Sequence, residues 1–99
     1  MNFESSLDAG VLNIMISGRF VFSMHQHFCE ATRLAENGVQ QIVIDLAKTE
    51  YLDSSALGML LVLRDKFGGD KNAILLKNAQ NDVKKLLEVA NFNKLFNMQ

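Results

Sequence analysis

Two adjacent hydroxyls, Ser54 and Ser55, follow Asp53 and precede the apolar run at residues 56–63. A serine so placed can cap a helix, attack a substrate, or accept a phosphoryl group. Attack needs a base within hydrogen-bond reach, itself oriented by a third group. The Gly-x-Ser-x-Gly elbow of hydrolases is absent. The histidines, His25 and His27, sit at the start of another predicted helix, and no spacing brings them to Ser54. The chain is therefore read as non-enzymatic, with Ser54 a substrate and not a catalyst. Phosphorylation suits the position better. Free amides and the dipole at a helix N-terminus favour an anion, and a phosphate adds roughly −1.5 to −2 charges and three acceptor oxygens. Asp-Ser-Ser is also ordinary capping chemistry, so the triplet alone leaves both readings open.

Other groups offer less. His25, His27 and Cys29 alternate as H-x-H-x-C, but on a helix residues i and i+2 diverge, and no carboxylate cluster completes a metal site. The glycines form no phosphate-cradling loop. Met59 reads as a core filler. Lys84 and Lys85 fall on the solvated side of a helix. No metal and no cofactor is expected.

The elements that must position Ser54 follow from periodicity. Residues 2–7 and 11–17 read as strands joined by Asp8-Ala9-Gly10, with Leu12, Ile14 and Ile16 on one face and Gly18 ending the second strand. Ser23 is the expected N-cap of a helix over residues 24–36, where Met24, Phe28, Ala31 and Ala35 form the core stripe and Asn37-Gly38 the stop. Ile42, Val43 and Ile44 run without alternation, which predicts a central strand covered on both faces. Asp53 caps a second helix over residues 54–67, ended by Gly68-Gly69. Its sheet-facing side holds Ala56, Leu60, Leu63 and Phe67. Its outward row holds Ser54, Gly58, Leu61 and Asp65, with Leu61 and Val62 more apolar than a solvated face needs, which suggests a docking surface. A phosphate on Ser54 is expected to stand beside Asp53 and near Asp45. Residues 73–76 predict a buried strand. Val83, Leu86, Leu87 and Ala90 mark a third helix, and residues 91–99 add one more turn. The order β-β-α-β-α-β-α predicts an α/β fold, a mixed sheet of four to five strands with helices packed against it. Phe20 and Phe22 either plug the core or belong to a partner surface.

Composition bounds the rest. Ninety-nine residues, 48% apolar and 21% charged, make one globular domain spanning residues 1–99. A net charge of −1 with no basic block argues against nucleic acid. No apolar run is long enough to cross a bilayer, and residues 1–10 lack the layout of a secretion signal. One cysteine permits no internal disulfide. A cytoplasmic protein is expected, with no membrane partner.

The stretch IVIDLAKTEYLDSSALGMLLVLRDKF closely resembles the STAS domain, the family of bacterial anti-sigma factor antagonists. The matching residues are Asp45-Leu46, at the end of an apolar strand, and Leu52-Asp53-Ser54-Ser55-Ala56-Leu57-Gly58, which open a helix. The likeness continues through VLNIMISGRF upstream and AILLKNAQNDVKKLLEVANFNKLF downstream, so it covers nearly the whole chain. It implies a phosphorylation-switched binding module. The unphosphorylated form would bind an anti-sigma factor or switch kinase and release a sigma factor for transcription. Phosphorylation of Ser54 by that kinase would abolish binding, and a PP2C-type phosphatase would restore it. By position, Asp53, Ser54, Ser55, Gly58, Leu61 and Asp45 would form the partner surface. Ala56 stands where the family has glycine, a change that favours helix. The Gly18-Arg19-Phe20 sequence replaces the common Gly-Glu-Leu-Asp pattern. It resembles small antagonists that work beside response regulators carrying phosphatase and kinase modules. The sequence stops soon after Phe96, so the terminal strand or helix of longer members is expected to be missing or curtailed. A second reading, the cytoplasmic STAS subunit of a lipid-transport ABC complex, uses the same fold; Asp53-Ser54-Ser55-Ala56 favours the antagonist.

Overall fold

A computed structural model describes residues 3–33 and 38–99 of the chain. Strands β1 (Phe3–Asp8) and β2 (Val11–Ile16) form an antiparallel hairpin, turning through Ala9 and Gly10 at φ of 51° and 82°. Alternation holds β2 in register. Leu12, Ile14 and Ile16 are buried, while Val11, Asn13 and Met15 face the other way.

Gly18 does not simply end this strand. It takes φ 77°, donates its amide to the Lys48 carbonyl at 2.8 Å, and opens β3 (Gly18–Phe20). The left-handed backbone, accessible to glycine without a Cβ clash, swings the chain out of the main sheet. There β3 pairs in parallel with β5 (Thr49–Leu52) as a second, two-stranded sheet. A 3-10 turn at Phe22–Met24 then leads into α1 (His25–Arg33). Ser23 lies inside that turn and is not the N-cap expected for it. The turn starts earlier because the Phe22 amide is already held, by the Asp53 carboxylate. The expected helix is present through Arg33. Its continuation over residues 34–36, with Ala35, and its stop at Asn37 lie outside the described residues, as does Asn2 of the first strand.

The remaining elements are β4 (Gln41–Asp45), α2 (Ser54–Lys66), β6 (Ile74–Lys77), α3 (Asn81–Val89), α4 (Phe92–Leu95) and a two-residue β7 (Asn97–Met98). The main sheet has five strands in the order β1-β2-β4-β6-β7, with β1 antiparallel and the others parallel. The expected mixed sheet is thus found, with β3, β5 and β7 added to the predicted order. After Phe96 the two-residue β7 pairs in parallel with β6.

Each parallel connection steps the same way across the sheet. Right-handed crossovers in one direction put every helix on one face. Burial agrees: Leu12, Ile14, Ile42, Ile44, Ile74 and Leu76 join helix residues in one core. The other face carries Asn13, Met15, Asp45, Leu75 and Lys77, all half-buried. The expectation that β4 is covered on both faces is therefore corrected. Val43 is buried on the open face by side chains of its own sheet, not by a helix layer.

Candidate functional site

Strand β5 sends Leu52 into the core, and the next residue leaves the sheet in an extended conformation (φ −106°, ψ 179°) that starts α2. That residue, Asp53, joins two segments. Its Oδ1 accepts from the Ala56 amide at 2.8 Å and its Oδ2 from the Phe22 amide at 3.2 Å, while its own amide donates to the Phe20 carbonyl at 3.4 Å. One carboxylate thus caps α2 and pins the start of the 3-10 turn before α1. Both helices consequently begin at the same end of the molecule.

Ser54 follows the cap and is exposed; Ser55 is half-buried and Ala56 fully buried. The predicted row of Ser54, Gly58, Leu61 and Asp65 is exposed along its length, and Ala56, Leu60 and Leu63 are buried against the sheet with Phe67 partly so. Met59 fills the core, as expected. A Cβ built on Gly58 would meet nothing within 4 Å outside its own helix backbone. Arg64 Nε donates to the Leu95 carbonyl at 2.8 Å, fixing α2 to α4.

Asp45 has a different setting. Its Oδ1 accepts from the Ala47 amide at 2.9 Å and from Asn78 Nδ2 at 3.2 Å, which shapes the β4–β5 turn and the end of β6. The structure brings Asp53, Ser54, Ser55, Gly58 and Leu61 together on α2, and places Asp45 at the end of the central strand with other partners.

The two phenylalanines divide. Phe20 is fully buried, with its ring 5.8 Å from that of Phe3 and 5.3 Å from that of Phe28. Phe22 is 68% exposed and stacks on His25 at 6.1 Å. His25, His27 and Cys29 all lie on α1. His27 stacks on Phe3, whereas His25 Nε2 is 3.6 Å from Cys29 Sγ, an i, i+4 pair that the alternating pattern hid. No group of three or more His, Cys, Asp or Glu among the described residues could hold a metal ion.

Between α1 and α2 lies an apolar groove of about 330 Å³. Phe22, Met59, Val62 and Leu63 line it, with Ser55 and Gly58 toward one end and Lys66 toward the other. Val62 is 57% exposed and Leu61 41%. Leu61 and Val62 were legible in the sequence as an apolar outward strip, whereas Phe22 stood open between two roles and Cys29 was weighed as a metal ligand. The missing signal was the second wall: His25, Cys29 and Thr32 fall at i, i+4 and i+7 on α1 and face the same groove. Across the small sheet, the Arg19 guanidinium lies 4.8 Å above the Tyr51 ring.

A mixed five-stranded sheet with its helices on one face, and an aspartate-capped Ser-Ser turn opening the helix after β5, define the SpoIIAA-like α/β class. The STAS domain family model matches residues 3–99, and the chain belongs to that family. It is 46% identical over 91 residues to a STAS-domain containing protein of Pseudomonas aeruginosa, which covers 92% of this chain and 90% of that one. The fold is similar to that of an anti-sigma factor antagonist from Mycobacterium paratuberculosis, with a TM-score of 0.79, 18% identity, and 97% and 82% of the two chains covered. It is also similar to the anti-sigma factor antagonist SpoIIAA in its unphosphorylated form, from Bacillus, with a TM-score of 0.71, 16% identity, and 98% and 86% covered. Among the described residues, no helix is long and apolar enough to cross a membrane.

Proposed function

We propose that this domain is an anti-sigma factor antagonist whose binding surface is switched by phosphorylation of Ser54. The observation that carries the reading is an exposed hydroxyl in the first turn of α2, directly above an outward row of Gly58 and Leu61. A partner serine kinase transfers the γ-phosphoryl group of ATP to Ser54 Oγ, with ADP and a proton as the other products. A PP2C-type phosphatase, in a response regulator or alone, hydrolyses the ester with water to inorganic phosphate. Membership of the STAS family and likeness to antagonist folds support this reading.

The scaffold accommodates the charge. The phosphate sits at the positive end of α2, where an anion is favourable by about 0.3–1 kcal/mol. Asp53 stays occupied by two amides and needs no rearrangement. A partner lying over Gly58 and Leu61 meets new bulk and negative charge, and dissociates. The unphosphorylated form binds the anti-sigma factor or switch kinase and so frees the sigma factor, and phosphorylation reverses this; the partner is a protein, and neither nucleic acid nor a membrane takes part.

Ser54→Ala is expected to bind the anti-sigma factor with unchanged affinity and to take up no phosphate, whereas Ser54→Asp weakens binding by about tenfold or more, roughly 1.4 kcal/mol. Calorimetry and mass-spectrometric site mapping after incubation with kinase and ATP read these outcomes. Equal phosphate incorporation into Ser54→Ala and wild type would falsify the assignment.

A further inference from the structure

We propose that the groove between α1 and α2 receives an amphipathic helix of the anti-sigma partner, crossing α2 at Gly58, with apolar side chains between Phe22 and Val62 and a carboxylate at Lys66. The inference rests on the reading of the domain as a switched binding module and names the chemistry of what binds.

Gly58 is the first observation. Glycine inside a helix destabilises it relative to alanine. Nothing in the fold requires that loss, since a Cβ there would meet no neighbour within 4 Å outside its own helix backbone. The bare backbone serves something outside the chain. A small residue at a crossing point lets a second helix come closer than the usual 8–10 Å between axes.

The walls are the second observation. Met59 and Leu63 form an apolar floor, while Phe22 and Val62 stand at the rim, 68% and 57% exposed. An added strand would need free backbone N–H and C=O groups to pair with, and helix flanks offer none. From Ser55 to Lys66 the groove runs along roughly 16 Å of α2, at about 1.5 Å per residue, the length of three turns. A helix with apolar residues at i, i+4 and i+7 matches both length and shape.

Charge supplies the third. Among the lining residues Lys66 is the one with a permanent charge. The groove is polar at Ser55 and carries the Lys66 ammonium at its far end. An acidic side chain toward one end of the partner helix complements it.

The test uses the full chain with an anti-sigma factor. The photo-cross-linker p-benzoylphenylalanine replaces Phe22, Val62 or Lys66 in turn, and the cross-linked partner residues are mapped by mass spectrometry. We expect cross-links to residues three or four apart in one partner segment. Val62→Asp should raise Kd about tenfold with an unchanged melting temperature, and Lys66→Glu should be rescued by an acid-to-lysine change in that segment. If Ser54→Asp weakens binding while Val62→Asp leaves Kd within about twofold, or if the cross-links scatter over a strand or loop, the groove is not the site and the switch stands. If Val62→Asp weakens binding and Ser54→Asp does not, the groove stands and the switch reading falls.

Discussion

Asp53 organises the site more than either serine does. Its two carboxylate oxygens satisfy amides from different segments, Ala56 and Phe22, that no intrahelical bond would satisfy. Asp53→Ala is expected to destabilise the domain by about 1–2 kcal/mol, since both amides lose a partner. Asp53→Asn keeps one acceptor oxygen, so it should hold the Ala56 bond, release Phe22, and lose less than the alanine variant. Urea denaturation ranks the two. Amide shifts in a nitrogen–proton correlation spectrum show which bond is gone. A larger loss for Asn than for Ala would contradict the two-oxygen account. Ser54 itself makes no contribution of this kind, so a phosphate placed there would leave both Asp53 bonds intact.

Helix α2 carries two requirements on opposite sides. Inward, Ala56, Leu60 and Leu63 bury a continuous stripe, and Arg64 anchors the helix to α4 through the Leu95 carbonyl. Outward, Gly58 keeps a stretch of backbone bare. Gly58→Ala should therefore stabilise the isolated domain by about 1 kcal/mol while weakening partner binding, a trade between stability and function. Thermal melts and titration calorimetry read the two effects separately, and a destabilised alanine variant would show that the open space over Gly58 is not open. The aromatic cluster of Phe3, Phe20 and Phe28 is the corresponding hard point beneath α1. Phe20→Ala should cost about 3–5 kcal/mol by opening a cavity in a fully buried position. Phe22→Ala, at an exposed ring, should leave stability within about 0.5 kcal/mol.

Across the whole molecule, protection follows the sheet order. Strands β2, β4 and β6 lie inside the five-stranded sheet, whereas β1 is a free edge with all but Phe3 exposed, and β7 is two residues long. Hydrogen exchange should be slowest in β2, β4 and β6 and fastest among the strands in β1 and β7. Equal protection of β1 and β4 would argue that the edge is covered in solution. What the sequence alone determined were the features with local causes. Alternation set the inward face of β2, the 3.6-residue period set the buried and exposed sides of α2, and Asp53 announced the helix start, because each depends on neighbours along one segment. The outward exposure of Ser54, Gly58 and Leu61 was legible for the same reason. Tertiary structure decided the rest. Gly18 opens a second sheet, with its amide on the Lys48 carbonyl of a segment distant in the sequence. Ser23 lost the cap to a contact with Asp53 across 31 residues. Val43 is buried without a second helix layer because the crossovers all fall on one face. The groove belongs to neither helix alone: Phe22 and Val62 lie far apart in the chain and meet there because one carboxylate holds the two helix starts side by side.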